Sequence, residues 1–373
     1  MEALGMNSSF WRDRQVLITG HTGFKGSWLT LWLLMQGADV WGYALPPESE
    51  RSLFTALDLA NQRQAGWGYF QYRLGEMNDA EALRQWVEQA QPEVVFHLAA
   101  QPLVRRSYAD PLGTWQTNVL GSLQLLEALK SLQHPCAMVM VTTDKVYENR
   151  EWVYGYRETD CLGGHDPYSA SKAAMELAVA SWRSSFCGDA AHQTPYLAIA
   201  TARAGNVIGG GDWAVDRIVP DAVRSLSAGA AIAVRNSHST RPWQHVLEPL
   251  GGYLLLAQRL LEHQQSAEKT VNPFARAFNF GPAIESNRSV KELITTVLQH
   301  WPGQWVDQSD PTAPHEAGLL HLVSDQARQL LGWQPRWDFE TTVSRTIHWY
   351  RPVMMTGGSA LEACLEDLAT YGQ

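Results

Sequence analysis

In "VTTDKVYEN" (141–149) a carboxylic acid and an amine stand side by side, Asp144 then Lys145. Neighbouring opposite charges at a strand end ordinarily make a solvated ion pair that contributes little. As a working acid and base they face two obstacles. Their mutual attraction favours both charged forms, from reference pKa values near ~3.9 and ~10.4. Asp144 would then need an apolar wall, and Lys145 would need desolvation or neighbouring cations. Adjacent strand residues also point to opposite faces, so the backbone must leave strand geometry for both to meet one substrate.

A second pair lies in "DPYSASKAAMELA", where Tyr168 and Lys172 are four residues apart on an expected helix and share a face. A free tyrosine, with a pKa near ~10, is a poor base at neutral pH. A nearby ammonium and a cationic nicotinamide both favour its phenolate. Tyr-x-x-x-Lys also arises by chance, as a half-buried ring beside a solvated amine.

The third signal is "TGHTGFKG", which places Gly20, Gly23 and Gly26 between a first strand and its helix. Glycine permits the tight turn, the close approach of a pyrophosphate and the close packing of helix on strand, with the helix N-terminus facing the phosphates. The acidic residue that usually ends the second strand of a dinucleotide fold is missing from "YALPPESER". With Lys25 in the loop and Arg51 beyond it, NAD and NADP both stay open. Glu76 in "LGEMND" is placed to meet the adenine, or simply occupies a surface turn.

The elements that would position these residues alternate. Strands are expected at 14–20, 38–45, 92–100, 137–144 and 196–206, and helices at 27–36, 79–90, 111–132 and 167–187. Strand–helix alternation implies an α/β fold with a Rossmann-type, doubly wound parallel sheet. After Asn206 the pattern turns irregular, and a smaller interleaved substrate domain is expected over 207–240 and 283–373, with 241–282 returning to the first.

The 373 residues are 45% hydrophobic and 18% charged, with a net charge of −9 and no basic run, so nucleic acid is not an expected partner. Four scattered cysteines without CxxC spacing argue against a disulfide framework or zinc site. The twelve histidines form no metal motif, "PHEAG" (314–318) included, so no metal is expected. The sixteen dispersed tryptophans read as packing. No membrane span or signal peptide is apparent, which suits a cytoplasmic protein, and the residues before Met6 read as a tag or alternative start.

Taken together with "HLAAQ" (97–101), "TNVLGSLQLLEAL" (117–129) and "LGWQPRW" (331–337), these signals resemble the extended short-chain dehydrogenase/reductase family over nearly the whole chain. The resemblance implies Tyr168 as base, Lys172 as its partner on the nicotinamide ribose, Thr143 completing a triad, and Asn118 as a structural residue. It implies an NAD site at Gly20, Gly23, Phe24, Lys25, Gly26, Glu76, Met77, Ala99, Tyr168 and Lys172. The acid–base pair after Thr143 resembles the nucleotide-sugar 4,6-dehydratases of that family, making Asp144 the acid and Lys145 the base, or a cation that steadies an enolate. A 4-epimerase would not need that pair, and a non-catalytic dinucleotide sensor would not keep Tyr168 and Lys172. The implied substrate is CDP-glucose, its diphosphate held by Arg217 and Arg241 with a hydrogen bond from Asn206. The implied assembly is a homodimer or a dimer of dimers. Arg203 reads as a tie between strands, and Arg105 and Arg106 as sugar-site or solvated residues.

Overall fold

The computed structural model describes residues 9–187, 196–266, 271–309 and 319–372. Met6 and the 314–318 segment lie outside them. Seven strands form one sheet: β1 (Gln15–Thr19), β2 (Asp39–Ala44), β3 (Phe70–Leu74), β4 (Val94–His97), β5 (Cys136–Val141), β6 (Leu197–Ala204) and β7 (Ala277–Phe280). Their order is β7-β6-β5-β4-β1-β2-β3 and every neighbouring pair is parallel.

Both faces of this sheet are covered, which is why its inner strands are apolar throughout rather than alternating. In β5, Ala137, Val139 and Val141 join one core with the helices α1 (Phe24–Met35) and α5 (Leu247–Gln265). Cys136, Met138 and Met140 join the other, with α2 (Ala80–Ala90), α3 (Gly121–Leu129) and α4 (Pro167–Phe186). The period-2 geometry of a strand does the sorting. The first core continues into the C-terminal helices through Trp349 and Tyr371.

Three departures from the sequence expectation have physical causes. β3 was not anticipated: it is an edge strand of mixed composition, with Gln71, Tyr72 and Leu74 exposed, so no apolar run marks it. The expected helix 111–132 is instead Pro111–Trp115, one wide turn over Gln116–Leu120, and then α3. The wide turn carries Asn118, buried, which accepts from the Gln101 backbone N–H at 2.8 Å and donates to the Gln101 carbonyl at 3.2 Å and to Ser171 Oγ at 2.9 Å. Such turns are recurrent near functional sites. Last, β5 stops at Val141, and Asp144–Val146 form a short 3₁₀ turn.

Beyond β6 come short paired strands. Val207–Ile208 pairs with Gln244–His245, Ile232–Val234 with Trp305–Asp307, and Thr240–Pro242 with Asn287–Ser289. The "LGWQPRW" segment is tied down by buried Glu248, which accepts from the N–H groups of Arg336 and Trp337 and from the Tyr371 hydroxyl.

Candidate active site

The site gathers at the C-terminal ends of the strands, where an open α/β sheet binds its ligands. α4 begins beneath it. Asp166 caps the helix by accepting from Ser169 N–H at 2.9 Å, Pro167 takes the first helical position, and Ser107 Oγ accepts from Tyr168 N–H at 3.1 Å. Tyr168 and Lys172 are both buried. Burial pushes the Tyr168 phenol up to about 12, partly countered by the adjacent Thr143 hydroxyl, while Asp144 adds to the rise. The phenol is thus not activated by its surroundings alone. Lys172 donates to the Val141 carbonyl at 3.2 Å, and burial pulls its ammonium down to about 8 against the opposing charge of Glu176.

Thr143, two residues past β5, is extended and caps the turn, which then separates the two side chains. Asp144 is 2% exposed. A Cβ on Gly205 would lie 2.8 Å from Asp144 Oδ2 and 3.2 Å from Pro242, so backbone and proline wall the carboxyl in. Burial raises its pKa, against Lys145, the Thr143 hydroxyl (3.0 Å to Oδ1), Arg241 and Lys25. Lys145 is half-buried, and among the described residues its amine has no hydrogen-bond or ion-pair partner. The expected departure from strand geometry is present.

The phosphate loop has the shape a pyrophosphate needs. Gly20 has φ +78°, and a Cβ there would sit 2.6 Å from Ala99 N. One on Gly26 would meet the Gly20 carbonyl oxygen at 2.1 Å, whereas one on Gly23 would meet only that same oxygen, at 3.4 Å. Two glycines are therefore enforced by the protein, and the third leaves open space at the start of α1, where no side chain caps the helix. This cradle fits a dinucleotide. Phe24 and Ala99 are half-buried beside it, Glu76 is exposed with its carbonyl accepting from the Tyr43 hydroxyl at 3.0 Å, and Met77 is buried against Gly121. At the end of β2, Leu45 is exposed and its carbonyl accepts from Thr22 Oγ1 at 2.9 Å.

Lys25 turns away from that strand end. It reaches the Tyr253 hydroxyl at 3.4 Å, and burial, with Arg217 and Lys172 nearby, pulls its ammonium down to about 7 against Asp144. Its place among the catalytic candidates gives no support to a 2′-phosphate contact. Arg217 is half-buried and donates to Asp212 Oδ2 at 2.9 Å, with its charge felt by Tyr168 and Lys25. Arg241 donates to the Thr240 carbonyl at 2.8 Å and acts on Asp144. Asn206 is half-buried just past β6. Arg105 and Arg106 are exposed and pair with Asp216 (3.4 Å) and Glu48 (3.1 Å).

Sequence reasoning missed Glu176, Tyr253, Ser107 and Asp212. Glu176 is buried and accepts from Thr142 Oγ1, Thr201 Oγ1 and Arg203 Nε and Nη2. Removing either member of that buried ion pair would cost on the order of 3–5 kcal/mol. The signal for Glu176 was present, as the next four-residue step after Tyr168 and Lys172.

The sequence profile of the family described as GDP-mannose 4,6 dehydratase matches residues 17–346. The chain belongs to that family. Among curated relatives, the CDP-glucose 4,6-dehydratase of Salmonella typhimurium is 43% identical over 368 residues, 98% of each chain. The dTDP-glucose 4,6-dehydratase of Streptomyces antibioticus is 30% identical over 285 residues, 74% of this chain and 75% of that one. Among solved structures, the dTDP-glucose 4,6-dehydratase of Bacillus anthracis in complex with NAD aligns with a TM-score of 0.71 at 19% identity, covering 90% of this chain and 96% of that one. The UDP-glucose 4-epimerase of Thermotoga maritima aligns with a TM-score of 0.71 at 20% identity, covering 91% and 99%. Dehydratase and epimerase thus share this chain's fold.

Proposed function

We propose that this chain is an NAD-dependent CDP-glucose 4,6-dehydratase, a hydro-lyase that converts CDP-D-glucose to CDP-4-dehydro-6-deoxy-D-glucose and water. The observation that carries the reading is the 43% identity with the Salmonella CDP-glucose 4,6-dehydratase along nearly the whole of both chains. The acid–base turn beside the Tyr168/Lys172 pair supports it, because a 4-epimerase has no use for that turn.

The cradle of Gly20, Gly23 and Gly26 would hold NAD, which would supply a reversible hydride acceptor for sugar C4 and C6. Tyr168 receives the C4 hydroxyl proton. Lys172, buried one helical turn from Tyr168 and donating to the Val141 carbonyl, would steady the phenolate and hold the nicotinamide ribose. Once C4 is a ketone, C5–H is acidic: Lys145 removes that proton, and Asp144, whose burial favours its protonated form, protonates the departing C6 hydroxyl as water. Lys145 returns a proton to C5 as C6 is reduced, and the proton that Tyr168 took from the C4 hydroxyl replaces, through exchange with solvent, the one Asp144 gave to water. Arg217, Arg241 and Asn206 hold the diphosphate, where planar guanidinium groups suit paired phosphate oxygens.

Our reading keeps the division of the chain at 1–206 with 241–282, and 207–240 with 283–373. It places the enzyme in the cytoplasm, supplying deoxysugar for O-antigen lipopolysaccharide. It makes the enzyme a homodimer or dimer of dimers, a reading favoured by the exposed apolar residues Leu112, Trp115, Leu120 and Leu177 along neighbouring helical segments. The test is incubation with CDP-, dTDP- and UDP-glucose in the presence of NAD. A 4-keto-6-deoxy product should form far faster from the CDP sugar, and comparable kcat/KM for dTDP-glucose would contradict the assignment.

A further inference from the structure

Asp144 and Lys145 sit on a turn that barely holds itself. The hydrogen bonds of its backbone N–H groups are long: Val146 N–H to the Thr143 carbonyl at 3.4 Å, Tyr147 N–H to the Asp144 carbonyl at 3.5 Å, and Lys145 N–H to Thr143 Oγ1 at 3.4 Å. Bonds of that length are weak. Its shape must be imposed from outside.

Two short contacts bracket it. On the entering side, Thr142 Oγ1 donates to Glu176 at 2.6 Å. On the leaving side, Arg203 donates Nη1 to the Tyr147 phenol oxygen at 2.8 Å, and Tyr147 donates to Asn279 Oδ1 at 2.7 Å. Arg203 is itself held by Glu176, through Nε at 2.9 Å and Nη2 at 3.0 Å. One buried carboxylate thus reaches both ends of the segment 143–146, beside the backbone bond that Gly163 N–H donates to the Val146 carbonyl at 2.8 Å. Glu176 also continues the face of α4 that carries Tyr168 and Lys172, in four-residue steps. The three side chains meet consecutive residues of one strand end: Lys172 takes the Val141 carbonyl, Glu176 takes Thr142, and Tyr168 faces Thr143.

We propose that Glu176 is a positioning residue for the acid–base turn, fixing Asp144 and Lys145 through Thr142 on one side and through Arg203 and Tyr147 on the other. The inference rests on the dehydratase reading, and it makes a distinction within the reaction. Oxidation at C4 uses Tyr168, which α4 holds and Thr143 only adjoins, whereas loss of water uses Asp144 and Lys145 on the turn. Loosening either bracket should slow elimination while leaving the first hydride transfer close to normal. Displacements of about 1 Å can cost roughly 10²-fold in rate.

Two nearly isosteric variants remove one bracket each. Thr142→Val keeps the shape and loses the hydroxyl. Tyr147→Phe keeps the ring stacked on Tyr156 and loses the phenol. Thr201→Val is the control, since it removes a bond to the same carboxylate without touching the turn. Single-turnover absorbance with CDP-glucose and NAD separates the two steps, and Tm reports stability. In the two bracket variants, reduced nicotinamide should appear at nearly the wild-type rate and then persist, with product formation slowed by about 10- to 100-fold and KM little changed. Thr201→Val should lose a similar amount of Tm without that accumulation. Equal slowing of both steps, or slowing that follows Tm across all three variants, would overturn the positioning role alone. A wild-type enzyme that makes no 4-keto-6-deoxy product from CDP-glucose would overturn the proposed function, and this inference with it.

Discussion

Asp144 and Lys145 are neighbours in the chain, yet among the described residues they do not form an ion pair. The 3₁₀ turn that follows β5 puts Asp144 in the interior, against Gly205 and Pro242, and leaves Lys145 half-buried with its amine unclaimed among the described residues. A surface pair at this position would have been worth little and would have done no chemistry. Separation leaves an acid whose pKa burial raises and a lysine amine that no protein group holds among the described residues.

Tyr168→Phe keeps the buried ring and removes the proposed base for the C4 hydroxyl. General-base contributions run to roughly 10²–10⁴ in rate, so kcat should fall by at least that order while nucleotide affinity barely moves. Steady-state kinetics beside calorimetric titration checks both, and retention of most activity would point to another base.

The cradle glycines should respond differently to alanine. Gly26→Ala puts a methyl 2.1 Å from the Gly20 carbonyl oxygen, so the loop must shift and Tm should fall. Gly23→Ala meets protein only at 3.4 Å and has an extended backbone, φ −78°, that alanine accepts. It should leave the Tm of the cofactor-free protein unchanged and weaken NAD binding by about 10-fold or more, by filling the space the pyrophosphate approaches. Unchanged NAD affinity would place the phosphates elsewhere.

The fold was legible where composition and period agree. β5 and β6 are apolar runs because both of their faces are covered, and Tyr168 and Lys172 declare a shared helix face by spacing alone. The need for a break after Thr143 was also readable, from the requirement that neighbours on a strand diverge. What stayed hidden depends on partners remote in the chain. The edge strand Phe70–Leu74 has no apolar signature, and Asn118 widens a helix to reach the Gln101 backbone. Lys25 reads as part of a phosphate loop, and only the fold brings Tyr253 beside it. No local pattern records such meetings.

The pH profile should show Lys172. Glu176 faces its ammonium from its own helix, and Lys25 and His97 from α1 and β4, with His97 driven to about 3 by burial and so neutral. A lysine with a lowered pKa is cationic below that value and neutral above it. The hold on the phenolate and the ribose that we propose for it should therefore be lost, and kcat/KM should fall, as pH rises through about 8. Lys25 titrates in the same direction from about 7, so the profile should be repeated with Lys25→Met to isolate the higher limb. Activity that stays level up to the ~10.4 of an ordinary lysine would contradict this role.

The central claim is that the turn divides the labour of losing water, Lys145 taking the C5 proton and Asp144 supplying one to the leaving hydroxyl. Exchange of C5–H into deuterated solvent tests it most directly. It should be measured on the trapped enzyme-bound 4-keto intermediate, since recovery of exchanged substrate would also require the first hydride step to reverse. Lys145→Met should oxidise the sugar, retain reduced nicotinamide and exchange C5–H very slowly or not at all. Asp144→Asn should also fail to lose water, yet exchange C5–H readily. Fast C5 exchange in Lys145→Met would contradict the assignment and leave the lysine as a stabilising charge.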